Sequence, residues 1–457
     1  MQRIEVYNFG PIREIAIDVG RLTLLIGQQA SGKSTIAKLI FFFKSLGNSF
    51  FTSFLKSTRN RINFEQDIIF PFRDQFYDLF GNTYHMPDFR IKYWFASDRY
   101  IYLTRTNKRR LKVTFSDDFL APDDMVKLEQ LKEQLNSIDD NNEVFSADNM
   151  VNHVLRSKIA EEMSGIINRI FCVSQTDNLY IVAGRTATVG YNDVFESLLR
   201  ANLKNSLENQ GNPLRHSHGQ SIDESLMLAF MQYVSRMKAV YYKLGNLDGM
   251  ISISRKGKKE ILSKARDIIN RVMRGKYVSS SDGEKLILPN GKFVYLRNSS
   301  SGQQESIRIL QDAFYSIYNE NPTFRIIEEP EAHLYPKAQM YMLQLLAIML
   351  NYNHSNQMII TTHRPYVLSV FNNLIFAFQV GAKSNENAGE VKNIICRESW
   401  IDPAETRAYM LEDGVAADIM DYDLQQIKAE MIDKVSEQLN LQYDRLLDID
   451  YECEENE

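Results

Sequence analysis

Alternating strand and helix patterns predict an α/β fold with a mixed, partly parallel sheet, an antiparallel β-subdomain and a helical insert. Three observations carry this. A short apolar run at 22–26 leads through a glycine-bearing loop into an apolar helix. Apolar strands at 324–327 and 358–362 are separated by a helical stretch, the rhythm of a parallel sheet. Between residues 89 and 115, three runs alternate around polar turns, which reads as an antiparallel meander.

Taken in chain order, residues 3–9 and 12–19 alternate enough to be strands around the turn Asn8-Phe9-Gly10-Pro11. Residues 22–26 are a buried strand, and a helix opens at Thr35. The meander runs through 89–96, 100–106 and 109–115. From 123 to about 170 the pattern is helical, with a polar break at Asp139-Asp140-Asn141-Asn142. Residues 179–183 return as a strand, and 209–221, rich in Gly, Asn, His and Ser, reads as a loop. Helical pattern resumes at Ile222 and again over 259–273. A hairpin over 284–296 turns at Pro289-Asn290-Gly291, and a helical run follows over 306–318. No internal repeat is present. These patterns divide the chain into 1–120, a lobe with the glycine loop and the β-subdomain; 121–287, a largely helical insert with a returning core strand; 288–380, a second lobe; and 381–457, a C-terminal extension.

Bulk properties bound the function loosely. At 457 residues the chain is long enough for two or three folding units. Net charge is −5, so no global positive charge advertises nucleic acid. Cys172, Cys396 and Cys453 lie far apart and form no metal spacing, which predicts a reducing, cytoplasmic setting. No signal-peptide layout and no run long enough to span a bilayer are present, so no membrane partner is expected. The tail from Tyr451 is acidic.

Gly27-Gln28-Gln29-Ala30-Ser31-Gly32-Lys33-Ser34 matches G-x-x-x-x-G-K-[ST], the phosphate-binding P-loop. Strand, glycine loop and helix N-terminus in that order make an anion site, because free N–H groups and the helix dipole both face the phosphates. Gly27, Gln28, Ala30, Ser31, Gly32 and Thr35 would cradle ATP. Lys33 would reach the β- and γ-phosphates, and Ser34 would hold Mg²⁺.

Four further motifs complete the candidate site. Asn298-Ser299-Ser300-Ser301-Gly302-Gln303-Gln304-Glu305 precedes a helix, where small residues let a backbone approach an anion. A plain serine cap is the alternative reading. The strand at 324–327 runs into Glu328-Glu329-Pro330-Glu331, paired carboxylates suited to orienting metal-bound water and polarising the attacking water. The loop Glu331-Ala332-His333-Leu334-Tyr335-Pro336 follows directly. The strand at 358–362 ends in His363, placed about one βαβ unit later as a γ-phosphate contact, although a lone histidine is also commonly a satisfied polar group.

Together and in this order, these motifs resemble the ATP-binding-cassette (ABC) class of P-loop ATPases within the AAA family. The resemblance covers the chain to about residue 115 and again from about 288 to 377. Glu328-Glu329-Pro330-Glu331-Ala332-His333-Leu334 departs from the Asp-Glu-Pro-Thr-Ser-type loop of transporter subunits. It looks like the version in SMC-like and OLD-type ATPases, including the ATPase subunits of the Septu and PARIS bacterial anti-phage systems. Leu179-Tyr180-Ile181-Val182-Ala183-Gly184-Arg185 resembles the strand-then-arginine element of the same group. The resemblance implies Glu328 on Mg²⁺, Glu329 as the hydrolytic carboxylate and His363 as the γ-phosphate sensor. It further implies that Ser300, Gly302 and Gln303 face ATP held by a second, head-to-tail copy. Glu328 stands where an Asp is commoner, and Ser301 where the signature has a glycine. Gln175 is a candidate for the glutamine loop, with a surface polar residue as the alternative.

The insert is too short and too weakly heptad-patterned for a long coiled-coil arm. About 80 residues follow Ala377, fewer than the nuclease domain of OLD proteins needs, so the expectation is an ATPase subunit that controls a separately encoded effector. The rival is an SMC-like ATPase acting directly on DNA in repair or chromosome processing. Two features bear on partners. The basic run Arg255-Lys256-Gly257-Lys258-Lys259, with Lys264, Arg266, Arg271, Arg274 and Lys276 beyond, suits nucleic-acid phosphates, an acidic partner or a solvated helix face. Residues 405–450 mix acidic and apolar positions, as a helix docking on a partner or on its own core does.

Overall fold

The structure, a computed structural model, describes residues 2–56, 61–106, 110–140, 148–174, 177–190 and 222–428. Among them, eleven strands form one sheet, and its two halves have different chemistry. One half is an antiparallel wing of β1 (Gln2–Phe9), β2 (Ile12–Val19), β4 (Arg90–Trp94), β5 (Tyr100–Arg105) and β6 (Leu111–Phe115). Its strands alternate buried and open positions, as expected for a sheet covered on one face. Phe9 lies opposite Ile12, so Gly10-Pro11 makes the turn.

The other half is parallel, in the order β13 (Thr406–Glu412), β3 (Leu22–Gly27), β12 (Gln357–Thr362), β11 (Thr323–Glu328) and β7 (Asp177–Ile181). Every residue of β3, β11 and β12 is buried. That is the mark of strands covered on both faces by helices. A separate antiparallel sheet holds β8 (Lys276–Ser280), β9 (Gly283–Ile287) and β10 (Phe293–Tyr295), which contains the hairpin turning at Pro289-Asn290-Gly291.

The helix that follows β3 spans Lys33–Lys56. Phe42 and Phe43 on it meet Phe72, Phe76, Phe80, Tyr93 and Phe95 at ring-centroid distances of 4.8–6.5 Å. These edge-on, tilted and stacked contacts hold the helix behind the glycine loop against the helix Phe70–Phe80 and the end of wing strand β4.

The C-terminal segment differs from the expectation of a docking helix. Residues 406–412 form β13, which lies parallel to β3 from Thr406 opposite Leu22 to Leu411 opposite Gly27. β14 (Val415–Asp418) then returns antiparallel and joins the wing beside β2. The reason is the hydrogen-bonding edge of β3, which a strand satisfies and a helix does not. Residues 429–450 of the expected helix lie outside the described residues, as do Gln175 and the 209–221 loop. The helix expected from 306 instead starts at Ser301, capped by Ser300.

Two fully buried arginines bind the helix Ser301–Asn319 to the strands around it. Arg325 on β11 makes ion pairs with Asp312 at 2.9 Å and Asp177 at 2.7 Å. Arg308 pairs with Glu284 at 2.6 Å. Burial alone would raise the Glu284 carboxyl, but Arg308 outweighs it and holds the group well below the ordinary range. Removing one partner of such a pair strands a buried charge. Asp312→Ala is therefore expected to lower unfolding free energy by about 3 kcal/mol. Denaturant unfolding checks this; an unchanged midpoint would show that the pair carries no such weight.

Candidate active site

The candidate residues gather at the carboxyl ends of neighbouring parallel strands, where open α/β sheets bind ligands. The glycine loop follows β3, His363 follows β12, Glu328 closes β11, and Ala183-Gly184-Arg185 follows β7 shortly beyond Ile181. Ile26 pairs with Thr362 and Glu328 with Thr361, so register sets these ends side by side.

The loop's backbone needs its glycines. Gly27 and Gly32 have φ of 158° and 100°, and Ala30 sits at 60°. A Cβ on Gly27 would stand 2.1 Å from the Leu411 carbonyl oxygen, so β13 also requires a glycine there. Ser31, Gly32 and Lys33 are buried, while Gln28, Gln29 and Ala30 are exposed. Lys33 Nζ donates to the carbonyls of Gly27 at 2.7 Å and Gln28 at 2.6 Å. Burial lowers the Lys33 pKa, against the opposing pull of Glu329 and Glu328. Ser34 and Thr35 occupy the first helical turn, which carries no acidic residue.

The loop fits a nucleotide phosphate chain. Ser31 Oγ is buried and has no hydrogen-bond partner among the described residues. The Lys33 ammonium curls back on loop carbonyls that a phosphate would replace, and the first turn of the helix carries no carboxylate of its own. For Mg²⁺ the oxygen donors at hand are the Ser34 hydroxyl and Glu328. No group of three or more His, Cys, Asp or Glu side chains among the described residues is arranged for a metal.

The turn after β11 is densely tied. Glu328 is buried, and its carboxylate accepts from the Tyr180 hydroxyl at 2.7 Å and the Ala183 N–H at 3.0 Å. Burial first, then the adjacent Glu328, pushes the Tyr180 phenol well up, so it stays a donor. Glu329 takes a left-handed φ of 43°, and its N–H donates to the Thr361 carbonyl at 2.9 Å. Its carboxylate lies 3.2 Å from His363 Nδ1, with both side chains about one-third exposed. The two residues expected to do the chemistry are thus brought together at the solvent edge of the sheet. Glu331 is fully buried; one oxygen accepts from the Thr362 hydroxyl, and the other has no partner among the described residues. Burial raises its pKa.

Ser300 caps its helix from an exposed position. The Gln303 carbonyl oxygen accepts from the Ser300 N–H at 3.1 Å and hydroxyl at 3.0 Å, while its amide donates to the Met273 carbonyl at 2.7 Å. Gln303 is therefore engaged in shaping the cap. A Cβ on Gly302 would stand 2.5 Å from the His333 carbonyl oxygen, so the helix start presses on the loop after the carboxylates.

Sequence reasoning gave no role to Arg185, Tyr180 or Glu305. Tyr180 and Arg185 stood in the strand-then-arginine element, but nothing in the sequence shows that both turn toward Glu328. Half of the cations of the basic helix Lys256–Met273 are matched by the chain's own acids: Lys258 with Glu320, Lys264 with Glu260 and Glu398, Arg266 with Asp248 and Asp267. Lys276, just beyond, pairs with Asp248. Arg255, Lys256 and Lys259 remain exposed.

The family described as AAA ATPase domain matches this chain over residues 1–368. The chain belongs to that family. Membership implies nucleotide binding by this AAA ATPase domain. Solved structures similar to it include an SMC head bound to the C-terminal winged-helix domain of ScpA, 14% identical with TM-score 0.34, covering 91% of this chain and 96% of that one. The SMC head domain from Thermotoga maritima is 10% identical with TM-score 0.34, over 91% and 97% of the two chains. The recombination mediator RecF is 10% identical with TM-score 0.31, over 91% and 97%. No curated protein matches the chain in sequence. No helix among the described residues is long and apolar enough to cross a membrane.

Gly27→Ala tests the packing of β13 on the loop. The added methyl has no space and the backbone sits where L side chains are disfavoured, so a stability loss of about 1–3 kcal/mol is expected together with weaker ATP binding. Calorimetric unfolding and a nucleotide titration read the two. Wild-type values in both would mean the loop does not depend on β13.

Proposed function

We propose that this chain is a Mg²⁺-dependent ATPase that works as a head-to-tail dimer or higher oligomer and switches a separately encoded effector. The single observation that carries the reading is the Glu329–His363 pair at 3.2 Å, at the ends of β11 and β12, the two strands that follow the P-loop strand in the sheet. A carboxylate and an imidazole in contact at a solvent edge can orient and deprotonate a water molecule. Bound ATP supplies the phosphoryl group, and Mg²⁺ would lie between Ser34, Glu328 and the phosphate oxygens, neutralising charge as it develops. Lys33 leaves its loop carbonyls for the β- and γ-phosphates.

The composite character of the site rests on Ser300 and Gly302. Ser300 is exposed at a helix start that suits an anion, with Gly302 buried just behind it, and a second copy's γ-phosphate is the anion proposed. An effector-switching role, in the manner of bacterial anti-phage ATPase subunits, follows the Glu-Glu-Pro-Glu-Ala-His-Leu loop. On the basic helix, Lys258, Lys264 and Arg266 are matched internally, while Arg255, Lys256 and Lys259 remain exposed. Strong stimulation of ATP turnover by DNA ends would favour direct action on DNA instead.

Two outcomes are expected. Glu329→Gln retains ATP binding but hydrolyses it at least about 100-fold more slowly, because an amide cannot take the proton of the attacking water. Phosphate-release kinetics at wild-type speed would move the role to another carboxylate. Ser300→Arg is expected to bind ATP normally yet fail to turn it over, the bulky cation blocking the second copy. Mixing it with Lys33→Ala then restores part of the activity through one intact shared site. Full activity of Ser300→Arg alone would contradict the shared site.

A further inference from the structure

Arg185 is fully buried, with its hydrogen-bond donors directed at two parts of the site that the sequence separates by more than twenty residues. One terminal nitrogen donates to the carbonyls of Val182 at 2.8 Å and Glu328 at 2.6 Å, and the other to the carbonyl of Glu329 at 2.9 Å. Nε donates to the Glu305 carbonyl and also lies 3.2 Å from the Glu305 carboxylate. That carboxylate is itself nearly fully buried and accepts the backbone N–H groups of Arg185 at 3.1 Å and Thr186 at 3.3 Å. Glu305 stands on the helix that starts at Ser300. A planar guanidinium with five donors can satisfy all of these acceptors at once; a lysine ammonium cannot.

We propose that Arg185 is a positioning residue that transmits engagement at Ser300 to the catalytic Glu329 of the same chain. This rests on the reading of Glu329 as the hydrolytic carboxylate. The physical reason is the Glu329 backbone. A non-glycine residue at φ 43° is held there by its surroundings. Its carbonyl accepts from Arg185 and from the Ala332 N–H, and its N–H donates to Thr361. A shift of the Ser300 helix moves Glu305, Glu305 moves the guanidinium, and the guanidinium moves the peptide that aims the Glu329 side chain. The contact of Gly302 with the His333 carbonyl gives the same helix a second grip on the far side of the turn. A head that meets a partner at its Ser300 edge thereby sets its own carboxylate, and the two sites of a dimer become coupled without direct contact between them.

Two variants test this in the full chain. Arg185→Lys keeps the charge and loses the fork. Glu305→Gln keeps the volume but turns an amide N–H₂ toward a backbone N–H or toward Arg185. Steady-state hydrolysis of Mg-ATP, ATP affinity by titration and thermal unfolding are measured for each. The expected result is a drop in kcat of about 10–100-fold, as for a misplaced catalytic group, with KM and ATP affinity within about twofold of wild type. If Arg185→Lys does not fold, Glu305→Gln decides alone. Parallel loss of affinity and turnover would overturn the proposal in favour of a merely structural arginine. Wild-type kcat in folded variants, alongside an inert Glu329→Gln, would overturn the brace alone; wild-type turnover by Glu329→Gln would overturn both readings.

Discussion

The left-handed peptide at Glu329 is the constraint on which the site depends. A glutamate at φ 43° has no intrinsic reason to stay there. It is held on three sides: by β12 through the Thr361 carbonyl, by Arg185, and by its own turn through Ala332. Each of those supports comes from a different part of the chain. The order of strands β3, β12, β11 and β7 is what brings them within reach, and the consequence is a carboxylate aimed at His363 rather than buried beside Glu328.

Buried charge is the second theme. Arg185, Arg308 and Arg325 are fully buried, and each is saturated by carbonyls or carboxylates. All three touch the helix beginning at Ser300 or its immediate supports. Replacing such pairs with apolar residues need not cost stability, so their presence points to geometry rather than strength. They fix the angle at which that helix leaves the sheet. The proposed site shared with a second copy requires that angle to be reproducible, since an error of about 1 Å at Ser300 would be felt at the phosphate.

Much of this was legible in the sequence, for physical reasons. Local rules sufficed where one segment decides its own conformation: the strand–loop–helix at Gly27, the two-residue turn at Gly10-Pro11, the hairpin at Pro289-Asn290-Gly291, and the carboxylates closing β11. They failed where a distant partner decides. The mix of acidic and apolar positions around Thr406–Glu412 suits a helix; the segment is a strand because the edge of β3 needs one. Arg185 and Glu305 carry no periodic or motif signal for their pairing, which exists only once β7 lies beside β11. The basic stretch from 255 to 276 left a phosphate surface, an acidic partner and a solvated face open because the acids that take up Lys258, Lys264 and Arg266, namely Glu320, Glu398 and Asp248, lie on other elements.

The central claim is that hydrolysis belongs to a pair of chains, with Glu329 and the P-loop from one and Ser300 from the other. Phosphate release measured across a range of wild-type protein concentrations, with sedimentation at the same concentrations and saturating Mg-ATP, tests it most directly. The account predicts that turnover per chain climbs with concentration and levels off as the monomer is exhausted. Full turnover per chain by a protein that sediments as a monomer would contradict it.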